Sequence, residues 1–267
     1  MADKRAFVSD IHMGGTFPGG AGKHDWNWLS GPEIAAFASF LDYVGNSGEY
    51  KELIILGDFL DDWVWPVHML PPTLDEIVEA PKNKAIVDAL RVLCQKIKVI
   101  CLPGNHDMGI TKEFLDRQFP GIVFGGPAKD NCIYRTGRLR AEHGSAHALF
   151  NAPDPHNNPG SRVPLGYYIS RVVATRKYHT GQDHRKYASF VDDLFEAVGP
   201  QSISASVFEG VLEEAGLPGN VEILIRDAGG NSESVKANEI KTKYQNLFDQ
   251  WCQAKGFAKA MKAIYAE

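Results

Sequence analysis

Three apolar runs in the first half of the chain each end in a polar cluster, and this repeated pattern is what most constrains the fold. Each run has the length of a strand: Arg5–Ser9, Glu52–Leu56 and Lys98–Leu102. Apolar residues recur at helical spacing between them, from Pro32 to Val44 and from Asn83 to Gln95. Strands that alternate with helices in this way predict βαβ units and a buried, mostly parallel sheet.

The second half of the chain has a different pattern. Short runs joined by turns predict further strands at Ile122–Phe124, Cys132–Tyr134 and Arg138–Ala141. A loop rich in Pro, Asn and Asp follows at 151–162, and the periodicity then predicts helices at Leu165–Tyr178, Tyr187–Val198 and Asn238–Ala266. We therefore expect a single α/β domain over residues 1–267, with a helical insertion at about 150–215.

The polar clusters lie where three predicted strands end. They are Asp10-Ile11-His12, Asp58-Phe59-Leu60-Asp61 and Asn105-His106-Asp107, and Glu142-His143-Gly144 follows a fourth short strand. The carboxyl ends of parallel strands meet in one crevice of an open α/β sheet, so these residues are expected to converge. Carboxylate, imidazole and amide oxygen together suit two divalent ions of the Mn, Fe or Zn kind better than a thiolate site or a calcium cage.

Each cluster by itself has a purely structural explanation. Asp58 after a glycine is typical of a turn or a helix cap, and Gly104-Asn105 is typical of a tight turn. The occurrence of all the clusters in order, each at a strand end, favours one shared site over several unrelated turns.

Charge and composition exclude some classes of function. The formal net charge of −5 gives no electrostatic reason for binding nucleic acid or a membrane surface. The four cysteines are scattered, and no apolar segment has the length of a signal peptide or a membrane span. We expect a cytoplasmic protein, and the sequence does not indicate its oligomeric state.

The clusters resemble the motifs of the calcineurin-like metallophosphoesterases. That family's pattern is Asp-x-His, Gly-Asp-x-x-Asp, Gly-Asn-His-Asp/Glu, a further His, and Gly-His-x-His. The first four elements match at 10–12, 57–61, 104–107 and His143. The resemblance implies a four-layer α/β/β/α sandwich. Trp63 extends the second motif to Gly-Asp-Phe-Leu-Asp-Asp-Trp, which is similar to the branch that contains UDP-2,3-diacylglucosamine hydrolases.

The resemblance also implies a set of metal ligands. Asp10 and His12 would hold one ion, Asn105 and His143 would hold the other, and Asp58 would bridge the two. Hydroxide held between the ions would attack a phosphoester or pyrophosphate of a small phosphorylated substrate.

Three further residues carry implied roles beside the ligands. His106 would lie over the site as a proton donor or charge stabiliser for the leaving oxygen, and Asp107 would orient its imidazole. Asp61 would fix the ligands or His106 by hydrogen bonds.

The fifth motif is missing, since no Gly-His dipeptide occurs and the last histidine is His184. Three interpretations remain open. The chain ends before this motif and so lacks the last strands of the sandwich; or His147, His179 or His184 replaces a ligand; or the protein is a degenerate, catalytically weak relative with a binding or regulatory role. Three protein ligands for each ion are still enough to hold a catalytic metal.

Two other groups of side chains have alternative interpretations. Four tryptophans flank the first two motifs and form either core packing or an apolar wall beside the site: Trp26, Trp28, Trp63 and Trp65. The cations of the predicted insertion form either a rim for an anionic substrate or a solvated helix face: Arg171, Arg176, Lys177, Arg185 and Lys186.

Overall fold

The computed structural model describes residues 3–16, 26–125, 133–145, 148, 151, 163–181, 203–226, 230–240 and 242–244. The chain divides into two compact units. The first unit comprises Met1–Asp62 and Pro72–Gly144, and the second comprises Trp63–Pro71 and Ser145–Glu267.

The first unit alternates strands and helices as the sequence predicts. Its strands are β1 (Lys4–Val8), β2 (Met13–Gly14), β3 (Tyr50–Leu56), β4 (Leu60–Asp61), β5 (Lys98–Leu102), β6 (Ile122–Phe124), β7 (Ile133–Thr136) and β8 (Leu139–Glu142). Its helices are α1 (Gly31–Asn46), α2 (Leu74–Glu79), a short 3-10 helix (Pro81–Asn83), α3 (Lys84–Leu93) and α4 (Lys112–Gln118).

The main sheet has the strand order β1-β3-β5-β6, and each neighbouring pair is parallel. The predicted α/β class and parallel sheet are thus confirmed. Because β3 lies between β1 and β5 in this parallel sheet, the loops that follow the three strands lie side by side at one edge of the sheet.

Both faces of this sheet are covered, which explains why β3 is apolar without alternation. One face, with Leu53 and Ile55, packs into a core shared with the helices. On the opposite face Ile54 and Ile100 pack against Tyr134, which belongs to the antiparallel hairpin β7–β8.

Helix α1 illustrates how the local sequence builds the helical layer. Ser30 and Glu33 form a capping box at its start, and Pro32 lies in its first turn. Its buried residues are Ile34, Leu41 and Val44, which form one face of the helix.

The second unit contains α5 (Leu165–Thr180), α6 (Ile203–Glu214) and an antiparallel hairpin of β9 (Glu222–Arg226) and β10 (Ser232–Lys236). The predicted helix at Leu165–Tyr178 is confirmed, whereas the hairpin was not predicted. Of the predicted helix at Asn238–Ala266, residues 238–240 and 242–244 are described, and they are helical. The loop at 152–162 and the predicted helix at Tyr187–Val198 lie outside the described residues. Within the described ranges, no helix combines the length and hydropathy of a membrane span.

Arg171 of α5 is completely buried inside the second unit. Its guanidinium donates to the Tyr167 hydroxyl and to four backbone carbonyl oxygens at 2.6–2.8 Å, those of Trp65, Pro66, Met69 and Leu224. Arg171 therefore belongs neither to a cationic rim nor to a solvated helix face. It ties Trp63–Pro71 to α5 and β9.

Candidate active site

The loops after β1 and β3 run alongside each other and are joined by backbone hydrogen bonds. The backbone N–H of His12 donates to the Asp58 carbonyl at 2.9 Å, and that of Met13 donates to the Phe59 carbonyl at 3.0 Å. Strands β2 and β4 continue this pairing in parallel. The first two motifs of the sequence are thus brought together by the backbone itself.

Three residues of these loops have left-handed backbone conformations. Asp10, His12 and Asp58 have φ angles of 57°, 49° and 52°, and no other non-glycine residue in the described ranges has a positive φ. Such a conformation costs roughly 1–2 kcal/mol for a residue with a side chain. Strain of this kind persists only where surrounding structure imposes it, and it concentrates at functional sites.

Two glycines allow the loops to approach more closely than side chains would permit. A Cβ atom at Gly104 would lie 2.1 Å from Asp58 Oδ1, and one at Gly57 would lie 2.6 Å from the Gly104 Cα. Gly57 also has a φ of 84°, which favours glycine. Asp58 can therefore lie this close to the Asn105 loop only because neither Gly57 nor Gly104 has a side chain.

His12 has one ring nitrogen held and the other directed at carboxylates. Its Nδ1 lies 3.0 Å from Asp61 Oδ2, while its Nε2 lies 3.7 Å from Asp58 Oδ2 and 3.9 Å from Asp10 Oδ1. A proton on Nδ1, donated to Asp61, leaves the Nε2 lone pair available as a metal ligand.

His143 has a similar arrangement and contacts the same carboxylate, that of Asp58. Its Nδ1 lies 2.9 Å from the Leu56 carbonyl oxygen, which can only accept, so Nδ1 carries the proton. Its Nε2 lies 3.1 Å from Asp58 Oδ2 and 2.9 Å from Asn105 Oδ1. Asp58 Oδ2 thus faces the Nε2 atoms of both histidines.

Asp61 lies beneath the two imidazoles of His12 and His106. Its carboxylate is fully buried, and its Oδ1 lies 3.1 Å from His106 Nδ1. Its Oδ2 accepts from the Trp28 indole N–H at 2.8 Å and lies 3.0 Å from His12 Nδ1. The two rings meet edge to face with centroids 4.5 Å apart. Asp61 therefore contacts both rings.

Asp107 has partners that differ from those implied by the resemblance. Its buried carboxylate accepts backbone N–H groups of Gly104, Asp58, Phe59 and Leu60 at 2.7–3.2 Å. The expected role of Asp107 in orienting His106 stays a prediction, and Asp61 supplies a carboxylate contact to the His106 Nδ1. Asp107 joins the loop after β5 to the loop after β3.

The electrostatics of the site favour added positive charge. Burial would lower the pKa of His12, but the carboxylates of Asp61, Asp58 and Asp10 outweigh it and raise that pKa to about 9. Burial also opposes the charge on Asp61, yet the adjacent imidazoles of His106 and His12 hold its pKa well below the usual range. A position that stabilises a proton so strongly also attracts a metal cation.

The donor set fits a divalent metal ion. Among the described residues, two groups have ligand atoms within 4.8 Å of one another: Asp10, His12 and Asp58, and His12, Asp61 and His106. Carboxylate and imidazole ligands suit Mn, Fe and Zn. The first group contains three of the ligands expected from the sequence, and the amide oxygen of Asn105 lies beside His143 Nε2 as described above.

The residues considered as substitute ligands can be located only in part. His179 is exposed in the second unit, where its ring lies beside those of His68 and Tyr178. His147 and His184 lie outside the described residues. Of the four tryptophans, Trp26, Trp63 and Trp65 are buried in core packing, and Trp28 is partly exposed. The bond from Trp28 to Asp61 has no local sequence signal, since 33 positions separate the two residues.

Comparison with known proteins agrees with the motif pattern. The family model described as calcineurin-like phosphoesterase matches residues 4–174. A search of curated proteins finds no match. One similar solved chain is the nuclease MPE of Pseudomonas putida, with 23% sequence identity and a TM-score of 0.26. The match covers 45% of this chain and 46% of the nuclease, which is less than half of either protein.

Proposed function

Because the chain belongs to the calcineurin-like phosphoesterase family, whose members are metal-dependent hydrolases, we propose that it hydrolyses a phosphoester or pyrophosphate bond of a small phosphorylated substrate at a dinuclear metal site. One observation carries the dinuclear part of this proposal. Asp58 Oδ2 lies 3.7 Å from His12 Nε2 and 3.1 Å from His143 Nε2, as expected of a carboxylate that serves two ions.

The ligands divide into two sets around that carboxylate. Asp10 and His12 would hold one ion, and Asn105 and His143 would hold the other, with Asp58 common to both. The hydrogen bonds from Nδ1 of each histidine to a fixed oxygen support these assignments, because they orient Nε2 before any metal arrives. We propose Mn, Fe or Zn as the native metals on the basis of ligand type.

Metal ions at such a site neutralise phosphoryl charge and make a water molecule more acidic. The remaining task falls to His106, whose ring is held at Nδ1 by Asp61. The other ring nitrogen, Nε2, can then deliver a proton to the leaving oxygen or stabilise its negative charge. Asp61 would hold the His106 ring, and Asp107 would hold the loop after β5, to which His106 belongs.

The experiment that tests this function measures hydrolysis of bis-p-nitrophenyl phosphate with added Mn²⁺, before and after chelation. We expect chelation to abolish activity and Mn²⁺ to restore it. Asp58→Asn and His106→Ala should each reduce kcat about 10²–10⁴-fold, because they remove a bridging charge and a proton donor. Asp75→Asn is the matched control, since Asp75 pairs with Arg117 at the surface of the same unit.

A metal-loaded protein that hydrolyses no monoester, diester or pyrophosphate would overturn the proposal. The absence of a Gly-His dipeptide favours one alternative in that event, namely a binding or regulatory relative that has lost activity. Hydrolysis of a UDP-linked pyrophosphate would support the narrower likeness to UDP-2,3-diacylglucosamine hydrolases. Cytoplasmic location and a single catalytic domain with an insertion at about 150–215 remain predictions.

A further inference from the structure

We infer that Trp28 is a positioning residue for the proposed hydrolysis, acting through the Asp61 carboxylate on both His12 and His106. This inference rests on the proposed function for its catalytic consequence. The hydrogen bond on which it depends is a property of the protein itself. Trp28 lies outside the motifs that the family resemblance covers.

The geometry makes Asp61 the point where three side chains meet. Its Oδ2 receives the Trp28 indole N–H at 2.8 Å and faces His12 Nδ1 at 3.0 Å. Its Oδ1 faces His106 Nδ1 at 3.1 Å. A carboxylate can turn about its own axis, and a third contact limits that rotation. The angles at which His12 and His106 are held thus depend on Trp28.

The indole is suited to this task because it donates a hydrogen bond without carrying a charge. A lysine or arginine in the same place would neutralise Asp61 and weaken its hold on the imidazoles. The indole instead binds the fully buried carboxylate and leaves its negative charge to act on His12 and His106.

The segment that carries Trp28 is itself fastened to the first unit. A Cβ at Gly14 would lie 2.3 Å from the Trp26 carbonyl oxygen, so only glycine lets the segment lie this close to β2. Asn27 donates to the side chain of buried Asn83, which in turn donates to the Gly14 carbonyl oxygen at 3.1 Å. A fixed backbone gives the indole a defined direction, as a positioning residue requires.

The first test detects the hydrogen bond directly in metal-free protein labelled with ¹⁵N-tryptophan. We expect the indole N–H signal that Trp28→Phe removes to lie downfield of the other indole signals, and to move upfield in Asp61→Asn. Trp63→Phe is the matched control, since it removes a buried indole of the second unit. A Trp28 signal at the position of a solvent-exposed indole overturns the inference even if Asp61→Asn does not fold.

The second test measures the consequence for the site. In Trp28→Phe, which keeps an aromatic ring and loses the N–H, we expect Mn²⁺ affinity by calorimetry and kcat each to fall about tenfold at unchanged KM. Trp63→Phe should change neither of them. A simple loss of folded protein would lower kcat and leave the Mn²⁺ affinity of the folded fraction unchanged, and this result overturns the inference.

The two tests separate failure of this inference from failure of the proposed function. If no phosphoester is hydrolysed, the indole signal and the Mn²⁺ affinity still decide whether Trp28 holds Asp61. If hydrolysis occurs and Trp28→Phe has wild-type kcat and Mn²⁺ affinity, only the role of Trp28 is wrong.

Discussion

In each of the two units of the molecule, a fully buried charged side chain binds several backbone groups, and the two charges have opposite signs. In the first unit the Asp107 carboxylate accepts four backbone N–H groups. In the second unit the Arg171 guanidinium donates to four backbone carbonyls and to the Tyr167 hydroxyl. Each charge organises a segment that has little regular secondary structure of its own.

The difference lies in what surrounds the two charges. Burial and the nearby Asp58 charge raise the pKa of Asp107 to about 6, so this carboxylate shares its surroundings with other ionisable groups. The hydrogen bonds of Arg171 go to neutral oxygen atoms, and a guanidinium stays protonated at any pH a protein tolerates. We conclude that charge in the first unit can change with pH and metal, whereas the charge on Arg171 is permanent and structural.

The largest expected effect on stability comes from removing the buried guanidinium of Arg171. Arg171→Met leaves the carbonyl oxygens of Trp65 and Pro66 buried without their donor, and it removes the donor of the partly buried Met69 carbonyl. Each buried carbonyl without a donor costs about 1–3 kcal/mol, so we expect the free energy of unfolding to fall by about 3–5 kcal/mol, measured by urea denaturation with and without Mn²⁺.

Arg176→Met is the control for this prediction, on the same helix. Arg176 forms a partly exposed ion pair with Glu214, so its removal should cost less than about 1 kcal/mol. If both variants lose the same stability, the hydrogen bonds of the buried guanidinium do not stabilise the second unit as we describe.

A smaller loss of stability is expected from Asp107→Asn. The amide keeps the shape of the side chain but directs its own N–H₂ at backbone donors, so at least one buried N–H of the set loses its acceptor. We expect about 1–3 kcal/mol less stability in metal-free protein, read from the midpoint of urea unfolding. Asp75→Asn should shift that midpoint far less, and an unshifted midpoint in Asp107→Asn would mean that the carboxylate does not hold the loop.

A further effect is a pH dependence of metal binding in the first unit. Metal must displace a proton from His12, whose carboxylate neighbours outweigh its burial and raise its pKa to about 9. Mn²⁺ affinity by calorimetry should therefore rise by up to about tenfold per pH unit until pH 9. The raised pKa of His12 also stabilises the metal-free protein. This stabilisation is fully present below pH 6.5 and is lost as pH rises through about 9.

Arg171→Met also tests the other side of the comparison, the independence of the second unit's charge from pH. It should lower stability by a similar amount at pH 6.5 and at pH 9, because the donors are lost and neither a guanidinium nor a methionine side chain titrates in that range. If the loss of stability differed strongly between pH 6.5 and pH 9, the charge on Arg171 would not be independent of pH as we conclude.

The parallel sheet could be predicted from the sequence because its strands carry a local signal. Strand β5 spans Lys98–Leu102 as predicted, and β3 extends the predicted strand by two residues to Tyr50. The convergence of Asp10, Asp58 and Asn105 followed from a general property of parallel sheets. Hairpin β9–β10 was missed although Ile223 and Ile225 alternate with less buried residues, because the polar β10 resembles a loop.

The partners of individual charges could not be predicted. Nothing near Arg171 in the sequence indicates that it is buried, since its acceptors come from 65–69, Tyr167 and Leu224. Likewise Asp107 adjoins His106 in the chain, yet its carboxylate serves the backbone. Side-chain directions across loops are set by tertiary contacts, for which a single sequence has no local pattern.

The two close glycines at the site have a consequence for how relatives of this protein would lose function. An alanine at Gly104 would push its Cβ into Asp58, and one at Gly57 would meet the Gly104 backbone. A homologue with either change could keep every ligand of the four motifs and still hold them at the wrong spacing. Whether a homologue keeps the activity therefore has to be judged also at Gly57 and Gly104, although neither glycine has a side chain that takes part in the chemistry.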